Sequence, residues 1–304
     1  MRKKPNNLIR LESLYPRMFF DKGLYNYLKR LRTGYLFEQI IDEIFETYNY
    51  EWIIVKGFGF KEKYQNVFQI DLLIFTGNKV LHYEIKAYKD PVIYRGNIFE
   101  IIIKDSNTEK SNENREVITY KNPIEQLNEN RIYLAQLFEK LNIELPIESY
   151  VIFAHPNYYI YELPAGQPFV FRGQLQNHIE EIKNTISPAT EVTQNYVSYL
   201  EQHNQDITKD DYQIPNYTFE SLGKKLMLPC CENHIVHITK HQYLINCQSC
   251  NRRFTMKEIA EHAVFEYQQL FNQSPTLNQL YGWTNKIFSR QRLHSWFYKQ
   301  KKEG

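Results

Sequence analysis

Residues 23–48 carry their apolar side chains at the spacing of an amphipathic helix. One broad apolar stripe, in steps of three and four, is formed by Leu36, Phe37, Ile40, Ile41, Ile44, Phe45 and Tyr48. Shorter apolar runs typical of strands follow at 52–60, 67–76, 79–88 and 92–104. A second helix is predicted to begin at Asn122-Pro123, an N-cap residue before proline, and a buried strand to follow at 150–153. The order helix, strands, helix, strand predicts a three-layer α/β core.

The two ends of the chain show weaker patterns. Residues 1–22 have no clean period and are predicted to form an arm, whereas the polar residues 105–116 predict a loop. Beyond Pro164, helices are expected near 174–186, 190–204, 256–272, 276–285 and 289–301, with a polar linker at 204–216. The predicted division is therefore a basic arm at 1–22, an α/β domain at 23–164, a helical connector at 165–221, a cysteine-bearing segment at 222–256 and a basic helical module at 257–304.

Composition narrows the class of protein. No run of about 18 apolar residues is present, so no membrane-spanning helix is expected. The N-terminus lacks the apolar stretch of a signal peptide. The cysteines cluster between 230 and 250, which favours a metal site in a reducing cytoplasm over a disulfide framework.

Charge is distributed unevenly along the chain. Residues 1–33 and residues 222–304 each carry a net charge of +7, so the middle carries −12 within a total of +2. Basic ends suit phosphate backbones and an acidic centre suits a cation site, although ordinary solvated surface would show the same asymmetry.

A predicted β-hairpin brings charged residues together. Gly77-Asn78 lies between two apolar strands, which is a signal for a two-residue loop. The numbers of paired residues then sum to 155, so Asp71 lies opposite Glu84 on one face, and Lys86 shares that face.

Two facing carboxylates repel each other, and a divalent cation between them would remove the penalty. Mg²⁺ is commonly held by one or two carboxylates with waters and substrate phosphate, and an adjacent lysine can stabilise charge that develops on phosphate. The alternative is an exposed hairpin with a Glu-Lys pair and an accidental acidic neighbour.

Residues 32–153 resemble the nuclease-related domain, a branch of the PD-(D/E)xK nuclease superfamily. The resemblance is carried by Gly34 with Glu38, Gln69-Ile70-Asp71, Glu84-Ile85-Lys86, and Asn122-Pro123 with Gln126. It implies a restriction-endonuclease-like mixed sheet flanked by helices. It also implies Mg²⁺ or Mn²⁺ held by Asp71, Glu84 and the Ile85 carbonyl, with Lys86 as the catalytic cation and Glu38 reaching the site from the first helix.

Two features depart from the family pattern, and two of the selected residues are also of types common in ordinary helices. Phe37 stands where the family often has glycine, and the span Ala87–Lys121 contains strands and a charged loop of its own. Glu38 can also be an ordinary surface glutamate. Gln126 can either support the helix N-terminus or contact a phosphate or a water of the site near the positive helix end.

The cysteine-bearing segment has the spacing of a zinc ribbon. Cys231-Glu-Asn-His234 is followed after twelve residues by Cys247-Gln-Ser-Cys250, which predicts a closed, structural Zn²⁺ site. Cys230 is an alternative ligand, His237 can replace His234, and free thiols are the alternative to a metal site.

The last helices loosely resemble a helix-turn-helix arrangement. Ser289 is a predicted N-cap, Arg290, Gln291 and His294 lie near the start of the second helix, and Leu293, Trp296 and Phe297 form its buried face. A plain basic amphipathic helix is the alternative.

The sequence therefore predicts a Mg²⁺-dependent cytoplasmic nuclease that acts on nucleic acid, on DNA rather than RNA. The alternatives are a catalytically silent nucleic-acid-binding protein that keeps the nuclease fold, and an interaction module whose zinc ribbon contacts protein.

Overall fold

The computed structural model describes residues 2–48, 50–61, 67–102, 117–205, 214–230 and 243–300. The chain divides into two compact units, and each is discontinuous in sequence. The first contains residues 1–3 and 32–209, and the second contains residues 4–31 and 210–304. Most of the segment expected to be a helical connector, 165–221, is therefore part of the first unit.

A five-stranded mixed sheet forms the centre of the first unit. Its strands are β1 (Ile53–Lys61), β2 (Val67–Phe75), β3 (Val80–Lys86), β7 (Ile147–Phe153) and β9 (Phe169–Phe171), in the order β1-β2-β3-β7-β9. The first three strands are antiparallel, whereas β7 and β9 continue from β3 in parallel.

Helices cover both faces of this sheet, as the apolar stripes predict. They are α2 (Lys22–Thr47), α3 (Pro123–Lys140), α4 (Leu175–Lys183) and α5 (Glu191–Gln202), with a short 3-10 helix at Arg172–Gln174. Ile41, Phe45 and Ile179 pack into one core layer. Leu134 and Val197 pack into the other. The sequence did not predict β9, whose three residues are too few to show a period.

A second, smaller sheet takes three of its four strands from Ala87–Lys121, the segment that departs from the family pattern. It contains β4 (Val92–Arg95), β5 (Ile98–Ile102), β6 (Val117–Lys121) and β8 (Ile160–Tyr161), in the order β6-β5-β4-β8. The single strand expected at 92–104 is a hairpin, because Gly96 has a left-handed φ of 68° and reverses the chain. The loop predicted at 105–116 lies outside the described residues.

The β2–β3 hairpin has the predicted register. Its pairs run from Phe75↔Val80 to Leu72↔Tyr83, and each pair sums to 155. Glycine at position 77 is not explained by the conformation of a two-residue hairpin loop, because neither Gly77 nor Asn78 has a left-handed φ. Instead, a Cβ on Gly77 would lie 2.2 Å from the carbonyl oxygen of Pro188.

Helices dominate the second unit. They are α1 (Asn6–Leu14), α6 (Met256–Phe271), α7 (Leu277–Trp283) and α8 (Arg290–Gln300). The hairpin of β10 (Leu244–Asn246) and β11 (Arg253–Thr255) directly precedes α6. The expectation of an N-terminal arm was wrong, because α1 buries Leu8, Leu11 and Leu14 almost completely. Three residues after the end of α1, Arg17 donates two hydrogen bonds to Glu266, at 3.0 and 2.8 Å.

In the part of the chain that the structure describes, no helix has the length and apolar character needed to cross a membrane.

The contact at Gly77 predicts a stability effect. Gly77→Ala should lower the free energy of unfolding by about 1–3 kcal/mol, because the new methyl group forces backbone atoms apart in a packed region. Urea denaturation measures the change. Gly173→Ala is the matched control, since nothing lies within 4 Å of its added Cβ. Equal stability of the two variants would contradict the prediction.

Candidate functional site

Glu84 and Lys86 lie at the carboxyl end of β3 and meet two polar residues of α3. Glu84 is 2 % exposed. Its Oε1 accepts hydrogen bonds from Lys86 Nζ at 2.7 Å and from Gln126 Nε2 at 2.6 Å, and its Oε2 accepts one from Asn130 Nδ2 at 3.3 Å. Gln126 Oε1 accepts a further bond from Lys86 at 2.8 Å. Lys86 is thereby held between a carboxylate and a side-chain amide.

The start of α3 is fixed by its cap. The Asn122 side chain accepts a hydrogen bond from the Ile124 amide and donates one to the Gly96 carbonyl. Pro123 occupies the first helical position, as the sequence predicts. This anchoring places Gln126 within the first turns of the helix and on the side that faces β3.

Asp71 lies where β2 and β3 separate. The sequence predicts that Asp71 pairs directly with Glu84, but the ladder ends one pair earlier, at Leu72↔Tyr83. With the same register, a longer ladder would pair Ile85 with Ile70. Instead, the Ile85 amide donates to Asp71 Oδ2 at 2.7 Å. Among the described residues, none donates a hydrogen bond to Asp71 Oδ1.

Arg2 links α2 to this point of the sheet. Its guanidinium donates to both carboxylate oxygens of Asp42 at 2.9 Å, to Glu38 Oε2 at 3.0 Å and to the Asp71 carbonyl at 2.7 Å. Arg2 is 5 % exposed. The first residues of the chain therefore contribute a buried cation to the site.

Burial raises the pKa values of two carboxyl groups. Desolvation, reinforced by the nearby Asp71 carboxylate, raises the pKa of Glu38 to about 8, although Arg2 opposes the shift. Desolvation also raises the pKa of Asp71, against the effects of Lys86 and Arg2. Without a bound cation, Glu38 consequently keeps its proton at neutral pH.

Lys86 remains a cation under all physiological conditions. Burial alone would lower its pKa, but the Glu84 carboxylate, with smaller contributions from Tyr88 and Asp71, raises the pKa above its usual value. The residue can therefore stabilise negative charge, and it cannot act as a general base.

The polar residues described so far all come from residues 38–130, apart from Arg2. Residues 33–154 match the family model of the nuclease-related domain. The match covers less than half of the chain and contains all four carboxylates of the site, Glu38, Asp42, Asp71 and Glu84. Comparisons with curated proteins and with solved structures gave no significant match.

The structure brings together the residues that the sequence selected in the nuclease-related domain, namely Glu38, Asp71, Glu84, Ile85, Lys86 and Gln126. It adds Arg2, Asp42 and Asn130. Asp42 and Asn130 lie four residues after Glu38 and Gln126, so helical spacing could have indicated them. Nothing in the sequence pattern indicates Arg2.

Three cysteines form a second cluster of ligand atoms. The Sγ atoms of Cys230, Cys247 and Cys250 lie within 4.8 Å of one another, so the group can hold a metal ion. The Asn251 amide donates to the Cys247 carbonyl at 2.8 Å, which closes the turn between β10 and β11. The alternative ligand Cys230 thus belongs to the cluster. The predicted ligands Cys231 and His234, together with His237, lie outside the described residues.

The helix α8 presents the predicted polar side chains to solvent. Arg290, Gln291 and His294 are exposed, and Leu293 is buried. The Arg292 amide donates to Ser289 Oγ at 3.3 Å, as expected for an N-cap. Trp296 is partly buried, and the side chain of Phe297 lies outside the described residues.

The raised pKa of Glu38 predicts how stability depends on pH. Between pH 5 and 8 the folded metal-free protein holds a proton that the unfolded chain has lost, so this group makes stability fall as the pH rises, by up to about 1.4 kcal/mol per pH unit. Glu38→Gln removes this dependence. The variant should therefore gain stability relative to wild type up to about pH 8 and show a constant difference above it.

Urea denaturation in EDTA from pH 5 to 9 measures this difference. Glu43→Gln, which changes an exposed glutamate of the same helix, is the control and should follow the wild-type curve. Parallel curves for wild type and Glu38→Gln would show that Glu38 titrates as an ordinary carboxyl group.

Proposed function

We propose that this protein is a metal-dependent nuclease of the PD-(D/E)xK type that hydrolyses phosphodiester bonds in DNA rather than RNA, in the cytoplasm. The observation that carries the proposal is the convergence of Asp71, Glu84 and Lys86 in one largely buried site within the nuclease-related domain. Buried charged groups are costly unless they are paired, and clusters of them with shifted pKa values are typical of functional sites.

The donor set suits a hard divalent cation. Four carboxylates face the cations of Arg2 and Lys86, namely Glu38, Asp42, Asp71 and Glu84. A third cation is near, since Lys56 Nζ lies 3.8 Å from Asp42 Oδ2. Desolvation raises the pKa of both Glu38 and Asp71, so a cation bound beside them would favour their ionised forms. Oxygen donors of this kind favour Mg²⁺ or Mn²⁺.

Asp71, Glu84 and the carbonyl of Ile85 would hold this metal. Asp71 Oδ1 accepts no bond from the described residues, and the β2–β3 ladder does not extend to Ile85. Amide and carbonyl of one residue point the same way in an antiparallel strand, so the Ile85 carbonyl faces the gap where Asp71 lies. When bound, the metal would supply neutralisation of phosphate charge and a lower pKa for the attacking water.

The chain's own residues would orient and stabilise the reacting phosphate. Lys86, a permanent cation, would stabilise the negative charge that develops on the phosphate. Gln126 bonds both Lys86 and Glu84 and so fixes their relative orientation. Glu38, held by Arg2, would hold a proton at neutral pH and release it as the site gains positive charge.

One observation favours the alternative of a catalytically silent nucleic-acid-binding protein. Lys86 and Arg2 already neutralise part of the carboxylate charge, through their ion pairs with Glu84 and Asp42. A fold that only binds nucleic acid could keep this network for stability.

Outside the nuclease-related domain, we infer a structural Zn²⁺ held by Cys230, Cys247 and Cys250, with the fourth ligand from Cys231 or His234. The exposed Arg290 and the partly exposed Arg292 of α8 would add contacts to the phosphate backbone.

Substitutions at three positions distinguish the enzyme from the silent binder. Asp71→Asn and Glu84→Gln should each abolish Mg²⁺-dependent cleavage of linear DNA, because each removes a metal ligand while keeping the side-chain shape. Lys86→Met should keep Mg²⁺ affinity and lose roughly 10²–10³-fold in rate, as expected for the loss of one charge-stabilising group. Binding to uncut DNA in EDTA should persist in all three variants.

Asp90→Asn, an exposed carboxylate four residues after Lys86, is the matched control and should cleave like wild type. Supercoiled, linear and single-stranded substrates should be tested with Mg²⁺, Mn²⁺ and EDTA. A wild type that neither cleaves nor gains thermal stability with either metal would support the silent binder.

The zinc site predicts a metal content. Protein purified without chelator should contain one zinc ion per chain, and Cys230→Ser or Cys250→Ser should lose it, since both thiolates belong to the cluster. Loss of zinc should unfold the second unit more than the first, because small zinc modules draw their folding energy from the ion. Elemental analysis and circular dichroism measure both effects. If Cys230→Ser retained all of its zinc, Cys230 would not be a ligand, and Cys231 would take its place.

A further inference from the structure

Two stacked tyrosines lie beside the candidate site. The rings of Tyr88 and Tyr120 have centroids 5.7 Å apart with an interplanar angle of 27°. Tyr88 also contacts Phe153 and Tyr158 in the core below the small sheet. Tyr88 is therefore supported from within the protein and forms the base on which Tyr120 rests.

Tyr120 remains accessible because it belongs to an edge strand. It pairs with Phe99 of β5 and so shares the inner face of the small sheet, where Phe99 is completely buried. At the edge of that face, Tyr120 is 40 % exposed. A large aromatic ring with a supported lower side and an exposed remainder is a suitable surface for stacking.

Both tyrosines lie close along the chain to residues that form or position the candidate site. Tyr88 follows Lys86 by two residues, and the charges of Lys86 and Glu84 act on its hydroxyl group. Tyr120 precedes the N-cap Asn122 by two residues, and α3 then carries Gln126 to Lys86. The exposed lysines Lys89 and Lys121 flank the pair.

We infer that Tyr120, supported by Tyr88, is a stacking platform for an unpaired nucleobase of the strand that enters the site, so that the protein prefers single-stranded DNA over duplex. This inference rests on the proposed function. Aromatic side chains bind single strands by stacking on exposed bases, while neighbouring lysines follow the phosphates. In a duplex the same base faces are already stacked on their neighbours.

The platform lies in the segment between Ala87 and Lys121, in which this chain departs from the pattern of the nuclease-related domain. Its substrate preference would therefore belong to this chain and not follow from the metal site.

Binding measurements in EDTA test the inference separately from cleavage. The probes are a fluorescein-labelled single-stranded DNA of mixed sequence, about 15 nucleotides long to fill one binding site, and the duplex formed with its complement. Wild type should bind the single strand more tightly. Tyr120→Ala should weaken single-strand binding by about 5- to 100-fold and change duplex binding little, and Tyr120→Phe should retain the wild-type affinity.

Two controls make the result specific. Tyr161→Ala removes a tyrosine that is 53 % exposed on β8, at the opposite edge of the same sheet, and should bind both probes like wild type. The salt dependence of Tyr120→Ala should equal that of wild type, since no phosphate contact is lost.

Equal losses on both probes, or no loss on either, would overturn the inference, as would a wild type that prefers duplex. None of these binding outcomes bears on the proposed nuclease activity, which is tested separately by cleavage with Mg²⁺. A wild type that cleaves nothing but shows the Tyr120 effect on the single strand would instead reject the nuclease proposal and keep the binding platform.

Discussion

Repulsion among closely spaced carboxylates, three of them buried and one partly buried, is the constraint on which the first unit depends. Glu38, Asp42, Asp71 and Glu84 come from two helical turns and two strands, and none can be buried without a compensating donor. Arg2, Lys86, the Ile85 amide and the side chains of Gln126 and Asn130 supply those donors. Desolvation, reinforced by the Asp71 carboxylate, still raises the pKa of Glu38 to about 8 despite Arg2, so these donors do not fully offset the cost of an ionised Glu38.

The β2–β3 ladder ends at the place where these carboxylates come together. Aspartate is a poor strand residue because its carboxylate competes for backbone amides. Asp71 does so by taking the Ile85 amide. The β2–β3 ladder ends at Leu72↔Tyr83, which leaves a gap between the two strands beyond that pair. A regular sheet has no such gap, since its peptide groups satisfy one another.

The sequence predicts local and periodic features better than distant contacts. The hairpin register follows from a two-residue loop, and Glu38, Asp71, Glu84, Lys86 and Gln126 follow from strand alternation, a helix cap and the resemblance to a known domain. Arg2 and α1 could not be predicted in the same way. The partners of Arg2 lie 36 to 69 residues along the chain. The helix α1 has only four apolar side chains in nine residues, too short a stripe to distinguish a helix from an arm.

The second unit is assembled from both ends of the chain, and this affects its synthesis. The helix α1 packs against α6, which begins at Met256, and Leu14 shares a core with Ile259 and Ala263, so Leu14 leaves the ribosome more than 200 residues before the surface that it packs against. During that interval this face of α1 lacks its partner while the nuclease-related domain is completed. Nascent chains of this kind are substrates for chaperones and are prone to aggregate. The topology therefore makes the yield of folded protein sensitive to translation rate and chaperone supply, independently of the final stability.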